Sequence, residues 1–160
     1  MNRDSLWTNS DGLVVGFGPR DVEYTGSATV STAGARKQVV ARFRLSDLGD
    51  ALDTNDLVNA PVIPAGALLE AAKLYVYTAA AGVNAVLDIG IATAAGADVN
   101  DAGIDAAIAT ATLVEGYDTA CDGALVGTKL ANNSKVYASY DTAAFTAGVV
   151  TVVIDYIVAP

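Results

Sequence analysis

Asp47, Asp50, Asp53 and Asp56 recur at three-residue steps in the stretch SDLGDALDTNDLVNAP, residues 46–61. Carboxylates spaced this way can converge on a hard cation such as Ca²⁺, which takes oxygen ligands. The same spacing on a short helical turn simply leaves solvated acids, and both readings stay open. A second acidic run, Asp98-Val99-Asn100-Asp101-Ala102-Gly103, begins like an EF-hand loop. Ala102 stands at the fifth ligand position and Ala109 where the bidentate Glu belongs, so it is not one. Cys121 is the single cysteine, which rules out an intramolecular disulfide and a cysteine-based zinc site. The chain has no histidine, so the commonest general base and transition-metal ligand are missing. GFGPR and the other glycine clusters match neither a phosphate-binding loop nor a dinucleotide fingerprint. No two of the 18 acids are marked as a catalytic pair. The residues predict no enzyme, no cofactor and no metal centre.

The elements that carry these residues belong to a chain of 160 residues, the size of one ordinary domain. Hydrophobic residues make up 52% and aromatics 7%, with Ala and Val prominent, which suits thin β-layers. The net charge is 9 − 18 = −9, which argues against a nucleic-acid binder. Arg3, Arg20, Arg36, Lys37, Arg42 and Arg44 all precede the acidic linker, whereas Asp98–Asp122 carries acids and no base. A basic first part could meet an acidic partner, or these charges are ordinary solvated faces. No run of 18 apolar residues suggests a membrane span. The opening MNRDSLWTNSDG lacks the apolar core of a secretory signal, so synthesis in a cytoplasm is expected.

Residues 1–20 read as an N-terminal arm, and residues 21–160 as a single domain. In the arm, Gly12, Gly16 and Gly18 flank Leu13, Val14, Val15 and Phe17, while Trp7 is a large apolar anchor in polar surroundings. Glu23–Ser31 reads as a polar strand and Gly34-Ala35-Arg36 as a turn. Lys37–Leu45 alternates, with Val39, Ala41, Phe43 and Leu45 inward. The stretch Val62–Thr78 has a helix-favouring middle, but Pro64, Gly66 and the alternation of Lys73–Thr78 predict one strand over Ala67–Thr78. The turn at Gly82-Val83-Asn84 would pair it as a hairpin with Ala85–Thr93, whose Leu87, Ile89 and Ile91 share a face. Asp101 is the expected N-cap of a short helix through Asp105–Ile108. Ser134–Tyr140 follows as a strand, and Val149–Val158, apolar on both faces, as the central one. Asp155 interrupts it and needs a partner, for which Arg42, Arg44 and Lys73 are candidates. The predicted fold is mainly β: an antiparallel β-sandwich, jelly-roll-like, with one short helix and an extended N-terminal arm.

Trp7-Thr8-Asn9-Ser10-Asp11-Gly12-Leu13-Val14-Val15-Gly16-Phe17-Gly18, followed by Arg20, resembles the opening of small virion proteins of tailed bacteriophages. Ile63-Pro64-Ala65-Gly66-Ala67 with the later Asp88-Ile89-Gly90, and the closing Tyr140-Asp141-Thr142-Ala143 with Thr146-Ala147-Gly148, are similar to a β-sandwich module of the same proteins. The resemblance implies a capsid decoration, or cement, protein on the outer head surface, often a trimer, whose partner is the major capsid protein. Trp7, Phe17 and Arg20 match the recurrent N-terminal pattern and are the implied contact residues. The alternative is a tail- or fibre-associated receptor- or carbohydrate-binding module. Tyr75, Tyr77, Tyr137 and Tyr140 are its expected exposed platform, with a sheet face or subunit interface as the plainer role.

Overall fold

The computed structural model describes residues 5–8, 14–17, 29–33, 36–55 and 57–158, the first three of these segments by backbone alone. Two short strands, β1 (Ser5–Thr8) and β2 (Val14–Phe17), pair antiparallel with Trp7 opposite Val15 and Phe17 opposite Ser5. The strands from Thr29 onward build two further sheets, five-stranded and three-stranded.

The larger sheet runs in the order β3 (Thr29–Ala33), β4 (Arg36–Arg44), β10 (Ala147–Val158), β5 (Ala67–Ala81), β8 (Asp118–Ala120). All of its pairings are antiparallel. The terminal strand β10 is central, as its apolar run predicts, lying between β4 and β5. The long strand expected over Ala67–Thr78 forms and extends to Ala81. Its Ala, Leu, Glu and Lys favour helix locally, but Ala72, Leu74 and Val76 alternate into the core, and that burial prevails. On β4, Val39 and Ala41 point inward as expected, and Leu45 is buried in the 3₁₀ turn Leu45–Asp47. Asp155 finds Gln38 rather than any of the three expected cations: Gln38 Nε2 donates to Asp155 Oδ1 at 2.9 Å. The two are register partners on adjacent strands, so the contact follows directly from the pairing.

The smaller sheet has the order β7 (Asp98–Ala109), β6 (Val86–Thr93), β9 (Ser134–Asp141). The hairpin expected between β5 and β6 therefore does not exist. The turn at Gly82–Asn84 carries the chain from one sheet to the other, so both apolar faces meet instead of lying side by side. A Cβ on Gly82 would sit 3.2 Å from the Ala144 carbonyl oxygen, and Asn84 takes φ 57°, both marks of a tight crossing. The expected helix over Asp101–Ile108 is also absent, because those residues belong to β7. Its register against β6 slips between Leu87/Ile108 and Ile89/Asp105, leaving Ala106 and Ala107 together opposite Asp88. This is a bulge: Ala107 takes φ 55° and donates its N–H to Asp88 Oδ1 at 2.7 Å. Apart from two 3₁₀ turns, Leu45–Asp47 and Thr110–Thr112, the described residues hold no helix, and none is long and apolar enough to cross a membrane.

The sheets face each other across one core. Val39, Leu74, Val76, Val150, Val152 and Ile154 enter it from one side, and Leu87, Ile89, Ile91 and Val136 from the other. Each fully buried branched aliphatic contributes about 1.5–3 kcal/mol of hydrophobic stabilisation. The architecture is the predicted antiparallel β-sandwich.

Candidate functional site

The outward faces of the two sheets carry the candidate contact chemistry. On the five-stranded sheet, β5 presents Ala71, Lys73, Tyr75 and Tyr77 to solvent, alternating with its buried residues. Pairing places Arg42, Thr151, Tyr75 and Asp118 in one row across four strands, and Val40, Val153, Lys73 and Ala120 in the next. Arg42 reaches over β10 and lays its guanidinium 4.4 Å from the centre of the Tyr77 ring. Such stacking holds a cation over an aromatic face. Tyr77 is 67% exposed and Tyr75 is 40% exposed. Arg44 is exposed beyond Arg42 on the same strand. At the far end, Arg36 pairs with Glu70, and that carboxylate raises the guanidinium's pKa further. The result is a face with Arg42, Arg44 and Lys73 around two tyrosines, with Asp118 exposed at the end of the Arg42 row and Asp155 further along, in a chain of net charge −9.

The three-stranded sheet is covered on its outward side. The described residues of the stretch 46–61, expected as a linker, form a strap over it. Leu57 packs on Ala92 and Tyr137, with Leu52 and Ala60 beside them. Lys135 Nζ donates to the Leu57 carbonyl at 2.6 Å and the Tyr140 N–H to the Gly49 carbonyl at 3.0 Å, which ties the strap down. Among the four acids of the supposed cation loop, Asp53 accepts from the Asn55 backbone N–H at 2.8 Å and Asp56 lies outside the described residues. No group of three or more metal-ligating side chains occurs among the described residues.

Beneath the strap lies a cleft of about 630 Å³, lined by Asp50, Asp88, Asp98, Asp101, Asp141 and Tyr137 among others. Tyr137 is buried and donates its hydroxyl to Asp98 Oδ1 at 2.8 Å. Burial, then the neighbouring carboxylates, push its phenol pKa up. Tyr137 is thus not part of an exposed tyrosine platform, because the strap covers the face on which it lies, and Tyr140 is half-buried against the main core on the other face. Tyr75 and Tyr77 alone of the four are exposed as expected. Among the described residues, neither Lys nor Arg lines the cleft.

Cys121 and Asp105 form a polar contact inside the core. The thiol donates to the carboxylate, which also accepts the Ala106 N–H at 2.8 Å. Burial raises the Asp105 pKa, and burial with the adjacent carboxylate pushes the Cys121 thiol up to about 12. A thiol so protonated is no nucleophile.

Of the implied contact residues, Trp7 sits on β1 and Phe17 on β2, while Arg20 lies outside the described residues. The register puts the Trp7 and Phe17 positions on one face of the β1–β2 ladder, since Ser5, Trp7, Val15 and Phe17 are opposed in pairs two residues apart.

The mainly β sandwich fold is shared with chains from two phage capsids. A chain of the capsid of Ralstonia phage GP4 superposes with a TM-score of 0.52 at 17% identity, covering 84% of this chain and 91% of that one. A chain of the cyanophage Pam1 capsid asymmetric unit superposes with a TM-score of 0.50 at 15% identity, covering 95% of this chain and 98% of that one. At such identities the likeness shows a common fold. No protein-family model and no curated protein matches the sequence.

Proposed function

We propose that this chain is a non-enzymatic structural protein of a phage virion, binding the outer surface of the shell as a homotrimer and stabilising it by bridging capsomers. One observation carries the reading: nearly the whole chain shares its fold with chains of two phage capsids. Bridging adds buried area across the seams between neighbouring shell subunits, which stabilises a shell under internal pressure. In this reading the segment 1–20 reaches to the major capsid protein, with Trp7 and Phe17 as apolar anchors and Arg20 as a charged contact. The burial of Tyr137 weighs against the tail- or fibre-associated, sugar-binding alternative, because it breaks up the four-tyrosine platform.

The test uses phage heads prepared without this protein. Full-length chain is expected to co-sediment with them, and a chain lacking residues 1–20 to lose at least about 100-fold in affinity, the scale of one or two lost anchors. Equal binding by both chains removes the role of the segment, and no binding by the full chain removes the reading.

A further inference from the structure

A cyclic trimer is held by a heterologous contact: one patch on each copy meets a different patch on the next. Two patches on this chain are mutually complementary. The outward face of the five-stranded sheet gathers Arg42, Arg44 and Lys73 around the exposed Tyr75 and Tyr77. Arg and Tyr are the side chains that concentrate at the energetic centres of protein interfaces. The cleft under the strap gathers Asp50, Asp88, Asp98, Asp101 and Asp141, with no Lys or Arg among its described lining residues, in a volume of about 630 Å³. Concave sites of this size accept a group of several side chains. Asp50 and Asp101 are exposed at its surface. Nucleic acid is the other natural occupant of a basic, aromatic face, but a chain of net charge −9 is repelled by a polyanion.

We infer that the Arg42–Lys73–Tyr77 face of one copy docks on the acidic cleft of a second copy, and that this contact is the one that holds the oligomer. The inference rests on the oligomeric reading proposed above and names its interface. The cations of one copy enter a cleft that repels itself, so the contact relieves repulsion as well as making ion pairs. The face of the five-stranded sheet, whose centre no described segment covers, gains its cover from a neighbour.

Two charge-reversed chains test it. One carries Arg42→Glu and Lys73→Glu, the other Asp50→Lys and Asp101→Lys; none of these side chains is in the core. Circular dichroism and melting first establish that both fold as the wild type does. In analytical ultracentrifugation at low salt the wild type is expected to associate, and each variant alone to be monomeric, with self-affinity reduced at least about 100-fold. Mixed, the first variant keeps a working cleft and the second a working face. The mixture should therefore associate where neither variant does alone, and the association should weaken as salt rises. A wild type that associates while the variants associate equally well overturns the interface and leaves the oligomer standing. A mixture that remains monomeric, or a monomeric wild type, overturns the inference, and the monomeric wild type removes the trimer as well. Binding of a single-stranded oligonucleotide by the wild type, lost in the Arg42→Glu/Lys73→Glu chain, would reassign the face to nucleic acid.

Discussion

The outward faces of the two sheets start from the same alternating pattern and finish differently. On β5, Lys73, Tyr75 and Tyr77 are exposed between buried Ala72, Leu74 and Val76. On β6 and β9 the outward positions Gly90, Ala92 and Tyr137 are buried as thoroughly as the inward Ile89, Ile91 and Val136. The difference is made by residues far away in the chain: Leu52, Leu57 and Ala60 of the strap cover one sheet, and no described segment covers the centre of the other. Alternation within a strand says which side chains point together. It does not say which face is covered, because the cover is supplied from elsewhere. The covered sheet is built for structure, and the open one is left with the side chains that suit contact.

Substitutions can break this contrast, beginning with a tightly packed position on the strapped face. A Cβ at Gly90 would lie 2.7 Å from the Asp101 carbonyl oxygen and 2.7 Å from the Tyr137 ring. Gly90→Val should therefore cost about 3 kcal/mol of unfolding free energy, read from urea titration. Leu57→Ala removes the strap's main anchor and should cost about 2 kcal/mol. It should also speed amide hydrogen exchange along β9 while leaving β5 unchanged; equal acceleration in both sheets would show that the strap does not act locally.

A third test concerns the contact between the sheets, where Cys121, just after β8, donates to Asp105 on β7. The thiol's pKa is raised from 9.0 to about 12 in the folded chain, so its stabilisation is complete below pH 9 and lost as pH rises towards 12. By pH 10 the wild type should have lost about 1 kcal/mol relative to its own value at pH 8, and Cys121→Ala should not show that component. The smallest effect is expected on the open face. Tyr77→Ala removes the ring under Arg42 and should cost only about 0.5 kcal/mol, within reach of paired urea titrations. A cost near that of Leu57→Ala would mean the face is part of the core after all.

Much of the sandwich was legible because its strands obey simple alternation. Val39 and Ala41 on β4, Leu87, Ile89 and Ile91 on β6, and the doubly apolar β10 each specify their place. The strand over Ala67–Thr78 was legible despite its helix formers, since Pro64 and Gly66 delay any helix and the Lys73–Thr78 pattern demands a strand. The β7 region misled because Asp101 suits a cap, and Ile104 and Ile108 stand four apart, as on a helix. The bulge opposite Asp88 breaks its strand pattern, and bulges leave little trace in composition. The strap was hidden for a different reason: two leucines among Asp, Asn and Gly do the packing, and composition averages them away. The crossing at Gly82–Asn84 looked like a hairpin because a turn sequence does not record which sheet the chain enters next. The cationic face was half visible, as a row of arginines and a row of tyrosines whose meeting depends on β10 lying between them.

The most direct test of the proposed function is the copy number of this chain in purified virions, measured by quantitative mass spectrometry against the major shell protein. A shell-bridging protein should be present in numbers comparable to the shell subunits and should be stripped from heads without emptying the tail. A handful of copies per particle, remaining with isolated tails, would contradict the account.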